Sequence, residues 1–192
     1  MSLYRDQLEA WLAGIKIDAG LVIDVGGSAN PVKSRLGSFK ASKYLILDNK
    51  SEELFHEKWS EPDEAYDIQE DFPAHLMMGA DVIFCLEVAE YLYDPLSAIR
   101  NMWFMLKKEG KLYMSFPAIY PVHNPAGIDH LRYTRFGVEA LLTKAGFYKL
   151  KITPRVATAG KESLAAFYRQ EGMHPVKDSV VYDIGYMVEA EK

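Results

Sequence analysis

The chain is short of cysteine, of positive charge and of long apolar runs, and each shortage removes a class of protein. Cys85 is the one cysteine among 192 residues, so no internal disulfide can form and a reducing, cytoplasmic setting is expected. Lys and Arg total 22 against 27 for Asp and Glu, a formal charge of −5. A generic nucleic-acid binder is normally basic, so neither RNA nor DNA is expected as substrate or partner. No apolar run reaches the roughly 18 residues of a membrane helix. Arg5, Asp6 and Glu9 interrupt the N-terminal stretch, so no signal peptide is expected either. Two phosphate-binding signatures are also missing: there is no G-x-G-x-x-G and no Walker Gly-Lys-Ser/Thr. No repeat, low-complexity tract or linker divides the sequence. Residues 1–192 read as one domain, long enough to bury about 70% of its extended surface.

What is present is most informative between Leu21 and Pro31. Leu21-Val22-Ile23-Asp24-Val25 is apolar and β-branched except for one carboxylate, as a parallel strand covered on both faces should be. Gly26 and Gly27 then allow a sharp turn and a close ligand. Asn30 reads as a helix N-cap and Pro31 as the first helical residue. Strand, glycine turn and helix start, in that order, bind a nucleotide or nucleoside at the carboxyl edge of an open α/β sheet. A second short strand, Tyr44-Leu45-Ile46-Leu47, runs into Asp48 and Asn49. Asp48 stands roughly 20 residues beyond the turn, where a carboxylate accepts from ribose hydroxyls. Without a phosphate cradle, the expected ligand is a nucleoside lacking phosphate.

The remaining pattern alternates strands and helices, which predicts a parallel sheet with right-handed crossovers. An amphipathic helix is expected over 3–13, from the spacing of Tyr4, Leu8, Trp11 and Leu12. Strands are expected near 20–25, 43–48, 64–68, 80–85 and 111–116, with helices over 32–38, 51–59, 73–78 and 95–107. Residues 117–133, with three prolines and Gly127, form a long loop of the kind that carries function. Thr134 caps a helix that Gly146 ends. A strand over 147–156, a short helix over 162–170 and a strand over 180–189 complete the chain.

Five segments, in order, resemble the class I S-adenosylmethionine-dependent methyltransferases. Asp24-Val25-Gly26-Gly27-Ser28-Ala29-Asn30-Pro31 resembles that family's acidic, glycine-rich first motif. Ser28 and Asn30 stand where the family usually has glycine. Asp48 matches the acid after the second strand, and the stretch from Tyr66 to Pro73 the segment that holds adenine. Residues 81–92 are similar to the fourth strand and the helix start beyond it, and 106–117 to the helix, glycine turn and fifth strand. The resemblance implies a Rossmann-like fold: a seven-stranded, mostly parallel sheet with the last strand antiparallel beside the fifth, and helices on both faces. It implies S-adenosyl-L-methionine as cofactor. It also implies methyl transfer to a hydroxyl of a small molecule or of a glycan or cell-envelope precursor. Two other readings stay open: a non-catalytic scaffold or partner subunit, and another reaction on the same cofactor fold.

The resemblance assigns roles to individual residues. Asp24 ties down the turn and reaches toward the cofactor's amino-acid part, alongside Gly26, Gly27, Ser28 and Asn30. Asp48 and Asn49 lie at the ribose. Asp67 faces the adenine amino group, with Ile68 supplying an amide and an apolar wall. The Cys85–Leu86 backbone forms a cofactor-contacting edge; Cys85 itself reads as a small buried hydrophobe. Glu87 and Glu90 suit a helix start, and either could face the substrate. The loop from Tyr120 to Thr134 is similar to one in methyltransferases of glycan and cell-envelope biosynthesis. It supplies His123, Asp129 and His130 as candidate catalytic groups, a His–Asp pair being able to take a hydroxyl proton near neutral pH. Tyr120, Arg132 and Tyr133 are the candidate substrate-binding residues, Arg132 pairing with Glu139 or with an anionic substrate group. No helical ligand pair supports a metal, and none is expected.

Overall fold

The computed structural model describes residues 3–49, 59–70, 74–77, 79–122, 127–157, 170 and 183–192. Seven strands, β1 (Lys16–Val25), β2 (Ser38–Asp48), β3 (Glu64–Ala65), β4 (Ala80–Cys85), β5 (Leu106–Pro117), β6 (Tyr148–Val156) and β7 (Asp183–Glu191), form one sheet in the order β3-β2-β1-β4-β5-β7-β6. Neighbours from β3 through β5 are parallel, while β7 runs antiparallel between β5 and β6. Strand β1 has β2 on one side and β4 on the other. The winding of the chain therefore reverses at its carboxyl end, which is where open α/β sheets bind ligands.

The strands are continuous apolar runs because both faces are covered. Ile23, Val25, Ile83, Cys85, Leu112, Met114, Phe116, Tyr186 and Val188 point to one face. There they pack under helices α2 (Pro95–Met105) and α3 (Arg135–Ala145). Val22, Val82, Phe84, Tyr113 and Met187 point to the other, beneath Leu8 and Leu12 of α1 (Leu3–Ala13). Alternate residues of one strand thus serve two cores. As expected, Thr134 caps α3 by accepting from Gly137 N at 3.1 Å, and Gly146 closes it in the left-handed region. The last strand, as expected, enters antiparallel.

Several elements differ from the sequence expectation. Strands β1 and β2 begin earlier, because Lys16–Ala19 pair with Ser38–Ala41, with Ile17 and Phe39 turned to the core and charged residues between them. The helix expected over 32–38 is a 3-10 turn, Val32–Ser34, and Ser38 already belongs to β2. Asn30 is not its cap. Pro31 holds that position without a side-chain bond, and the orphan amide of Val32 is taken by Asp24 Oδ2 at 2.7 Å. The strand expected over 64–68 stops at Ala65, because Asp67 folds back to accept from Gln69 N at 2.9 Å and turns the chain out of the sheet. Helix α2 ends at Met105 since Leu106 is extended. The segment over 73–78 contains only the 3-10 turn Ala74–Leu76 among its described residues. The helices expected over 51–59 and 162–170 lie outside the described residues except for Trp59 and Gln170, as do residues 180–182 of the last strand.

Helix α1 is pinned to the end of β6 by one side chain. Gln7 Nε2 donates to Val156 O at 3.0 Å and Gln7 Oε1 accepts from Val156 N at 2.8 Å, so its amide pairs as a neighbouring strand would. Gln7→Ala removes both bonds at a partly buried edge. The expected loss is about 1–2 kcal/mol, read as a lower midpoint in urea unfolding.

Candidate functional site

The carboxyl ends of β1, β2 and β4 lie side by side, Val25 pairing with Leu47 and with Cys85. Gly26 N continues the ladder to Leu47 O at 2.8 Å, and then the backbone swings away at φ +75°. A Cβ on Gly26 would come within 2.3 Å of Val88 Cγ2, and one on Gly27 within 2.6 Å of the Asp24 carboxyl carbon. The two glycines therefore let the turn sit directly on the strand-end groups. Asp24 anchors it from below, accepting from Val32 N and in a short hydrogen bond from the Tyr44 hydroxyl. Burial raises the Asp24 carboxyl to about 6, against the lowering pull of Tyr44 and Val32. Tyr44 pairs with Val22 in the sheet and its hydroxyl reaches Asp24 two residues further along β1, a contact with no signal in the sequence.

Asp48 anchors the turn from the side. Its Oδ2 accepts from Ser28 N at 3.0 Å, and its backbone oxygen accepts from Tyr66 N at 3.0 Å. Asn49 Nδ2 reaches Asp67 Oδ2 at 3.2 Å, and Gln69 binds Asp67 Oδ1 through both its amides. Asn101 of α2 holds Ile68 O at 2.8 Å, which fixes the buried Ile68 at the cleft wall. The sheet thus brings Asp24, Gly26, Gly27, Ser28, Asp48, Asn49, Asp67 and Ile68 to one edge, next to the Cys85–Leu86 peptide. Asn30 lies exposed beyond the turn. Burial pushes the Cys85 thiol far above its ordinary range, so it packs as a neutral hydrophobe.

A nucleoside with a cationic tail fits these groups. Asp48 and the buried Asp24 beneath the turn bring acid to the crevice, and among the described residues no lysine or arginine nitrogen is bonded to either, a field that favours a sulfonium and an ammonium and opposes phosphate. Ser28 Oγ is buried with no hydrogen-bond partner among the described residues. Such atoms are rare in folded proteins and mark a place where a ligand group is wanted.

Beyond β4 the chain carries the second half of the cleft. Glu87 has φ 56°, an unfavourable conformation for a non-glycine residue and one that gathers at functional sites. Ser115 holds it there, accepting from Glu87 N and donating to Glu87 Oε1, both at 2.7 Å. Glu90, in the 3-10 turn Ala89–Tyr91, is buried, and burial followed by the neighbouring Glu87 charge raises its carboxyl to about 8.

The loop after β5 is strapped over that turn. His130 N and Leu131 N both donate to Glu90 O, at 2.7 and 3.1 Å. Asp129 forms a bidentate ion pair with Arg132, at 2.7 Å for Nη2 to Oδ2. Arg132 therefore does not reach Glu139, and its other contacts are to the carbonyls of Tyr120, Leu131 and Pro121. The pair shapes the loop. Tyr133 is buried and donates to Ala89 O at 2.7 Å, so it tethers the loop to the core instead of presenting its hydroxyl. Tyr120 faces the cleft against the Tyr4 ring, 4.5 Å between centroids. His130 is exposed on this loop, and His123 lies outside the described residues. Among the described residues no three His, Cys, Asp or Glu side chains are placed to hold a metal.

No family model matches this sequence, and no curated protein does. Solved structures do. An S-adenosylmethionine-dependent methyltransferase from Mesorhizobium loti is 13% identical and aligns over 100% of this chain and 98% of its own, with a TM-score of 0.63. A second such enzyme from Thermotoga maritima is 13% identical, over 99% and 91%, with a TM-score of 0.64. Human N-acetylserotonin methyltransferase, solved in complex with S-adenosylmethionine, is 15% identical over 90% of this chain and 47% of its own, with a TM-score of 0.52. The fold is that of the class I S-adenosylmethionine-dependent methyltransferases. This chain carries it with Ser28 and Asn30 in the first turn and with Glu87 and Glu90 beyond the fourth strand. No helix among the described residues is long and apolar enough to cross a membrane.

Proposed function

We propose that this chain is an S-adenosylmethionine-dependent methyltransferase that acts on a hydroxyl of a small molecule or of a glycan or cell-envelope precursor. The observation that carries the reading is the turn Gly26–Ser28 tied to Asp48 at the switch point of the sheet, in an acid-lined crevice. When bound, S-adenosylmethionine supplies a methyl group already activated by its sulfonium. Asp48 and Asn49 take the ribose hydroxyls, Asp67 and Ile68 the adenine, and Asp24 keeps the glycine turn in place under the amino-acid tail. The loop after β5 presents the acceptor, with Tyr120 packed on Tyr4 at its start. Holding an acceptor oxygen in line with the methyl carbon can supply roughly 7–11 kcal/mol in the best-oriented cases.

The acceptor's proton goes to a histidine of the same loop, His123 or His130, with Asp129, itself held by Arg132, as the carboxylate of the His–Asp pair. S-adenosylhomocysteine should bind with measurable heat in calorimetry, and labelled methyl groups should pass to hydroxyl compounds of a cell extract. With the acceptor so found, His123→Ala or His130→Ala should lower turnover by about 10²–10⁴-fold and leave S-adenosylhomocysteine affinity within about twofold. Full turnover in both variants would remove the histidines from proton transfer. Absence of any heat with S-adenosylhomocysteine would end the enzymatic reading.

A further inference from the structure

The end of β6 carries a buried arginine whose hydrogen bonding is incomplete. Arg155 is 0% exposed. Its Nη2 donates to Glu87 Oε1 at 2.7 Å, and its guanidinium carbon lies 4.0 Å from the centroid of the Tyr4 ring. Among the described residues its Nε and Nη1 have no hydrogen-bond partner, and neither has the buried hydroxyl of Tyr4. Nε and Nη1 together carry three N–H groups. Burial, with the charges of Glu87 behind it, keeps Tyr4 protonated, so its hydroxyl is a fourth donor. Buried donors without acceptors are rare, and charged ones the more so.

The surroundings are built around this group. Glu87 is fixed by Ser115, so its carboxylate aims the guanidinium instead of following it. Gly185 opposite leaves space for the Tyr4 hydroxyl: a Cβ there would lie 3.0 Å from that oxygen and 2.8 Å from Phe116 O. A plain structural ion pair would need none of this, since Glu87 binds one nitrogen of three. The guanidinium N–H groups can only donate, and the Tyr4 hydroxyl supplies a fourth hydrogen. A carboxylate or phosphate accepts from all four and complements the guanidinium charge, which a neutral hydroxyl does not.

We propose that Arg155 and Tyr4 bind an oxyanion, a carboxylate or phosphate group, of the methyl acceptor. The word acceptor rests on the methyltransferase reading; the oxyanion site does not. Arg155 lies four strands from the Gly26 turn in the sheet order, and Tyr4 beside it packs on Tyr120 of the loop after β5. Entry requires the first turn of α1, which carries Tyr4, to shift. The acceptor would thus be an acidic hydroxy compound, held by its anion at β6 while its hydroxyl points toward the cofactor edge.

The test uses the full chain labelled with ¹⁵N, titrated separately with sodium phosphate and sodium acetate against sodium chloride at equal ionic strength. Calorimetry with S-adenosylhomocysteine runs in parallel. The Arg155 Nε–H resonance, assigned by its loss in Arg155→Lys, should shift saturably with one oxyanion and not with chloride. Which oxyanion does so identifies the acceptor group. Tyr4→Phe should weaken that binding about tenfold or more and leave S-adenosylhomocysteine affinity unchanged. No saturable shift with either oxyanion would overturn the proposal, and so would a Tyr4→Phe protein that titrates as the wild type does. A loss of S-adenosylhomocysteine affinity in Arg155→Lys or Tyr4→Phe would put the donors on the cofactor and overturn it as well. A saturable shift in a protein that binds no S-adenosylhomocysteine would keep the oxyanion site and reject the methyltransferase reading.

Discussion

Asp48→Ala should weaken S-adenosylhomocysteine binding by roughly a hundredfold or more, with the protein still folded. Two losses add up at this position. One Asp48 oxygen accepts from Ser28 N at 3.0 Å and holds the glycine turn against the sheet edge. The carboxylate is also the group placed to accept from a ribose diol. Hydrogen bonds to a charged acceptor contribute about 1.5–3 kcal/mol each, and about 3 kcal/mol is already two orders of magnitude in Kd. Asp48→Asn keeps an oxygen for Ser28 and loses the charge, so it should fall between wild type and Asp48→Ala. Calorimetry gives the affinities and urea unfolding checks the fold. If Asp48→Ala binds S-adenosylhomocysteine as the wild type does, the diol assignment is wrong and the ribose is held by other groups.

Asp48 also shows what the sequence makes legible. Its place was readable because it depends on spacing: a short apolar strand, then an acid, about 20 residues past a glycine pair. Spacing also placed Thr134 and Gly146, while the antiparallel last strand came from the family resemblance. What was not readable depends on register and on side-chain reach across the sheet. The beginnings of β1 and β2 mix charged residues with Ile17 and Phe39, and only their pairing in the sheet shows that they are strands. Asn30 reads as a cap only if its own side chain does the capping. Asp24, eight residues before Val32, does it instead. The loop after β5 stood out by composition, yet composition could not say that Asp129 belongs to Arg132 or that Tyr133 is a tether. Arg155 gave a faint signal as an arginine within a strand, and nothing local pairs it with Glu87, 68 residues away.

Lowering the pH from 8.5 to 5 should stabilise the fold, the reverse of what salt-bridged carboxylates would give. Asp24 and Glu90 both have carboxyls raised by burial, Asp24 from 3.8 to about 6 and Glu90 from 4.5 to about 8. Below their ordinary values both the folded and the unfolded chain hold the protons, and the full contribution to stability is present. As pH rises the unfolded chain ionises first, so it binds fewer protons than the folded one and stability falls. For Asp24 that loss is complete by about pH 6, and for Glu90 by about pH 8. The groups with lowered values, such as Asp94 and Glu191, titrate below this window and do not oppose it. The expected change between pH 5 and pH 8.5 is on the order of a few kcal/mol, at 1.36 kcal/mol per unit. Glu90→Gln, which cannot ionise, should flatten most of the slope, and Asp24→Asn should flatten only the part below pH 6. Urea midpoints at pH 5, 6, 7 and 8.5 decide it: a Glu90→Gln protein with the wild-type slope would show that Glu90 titrates normally. The same protonation bears on the chemistry. A Glu90 that keeps its proton at pH 7 cannot accept another from a hydroxyl beside it. The proposed proton acceptor therefore stays a histidine of the loop, whose His130 N donates to Glu90 O.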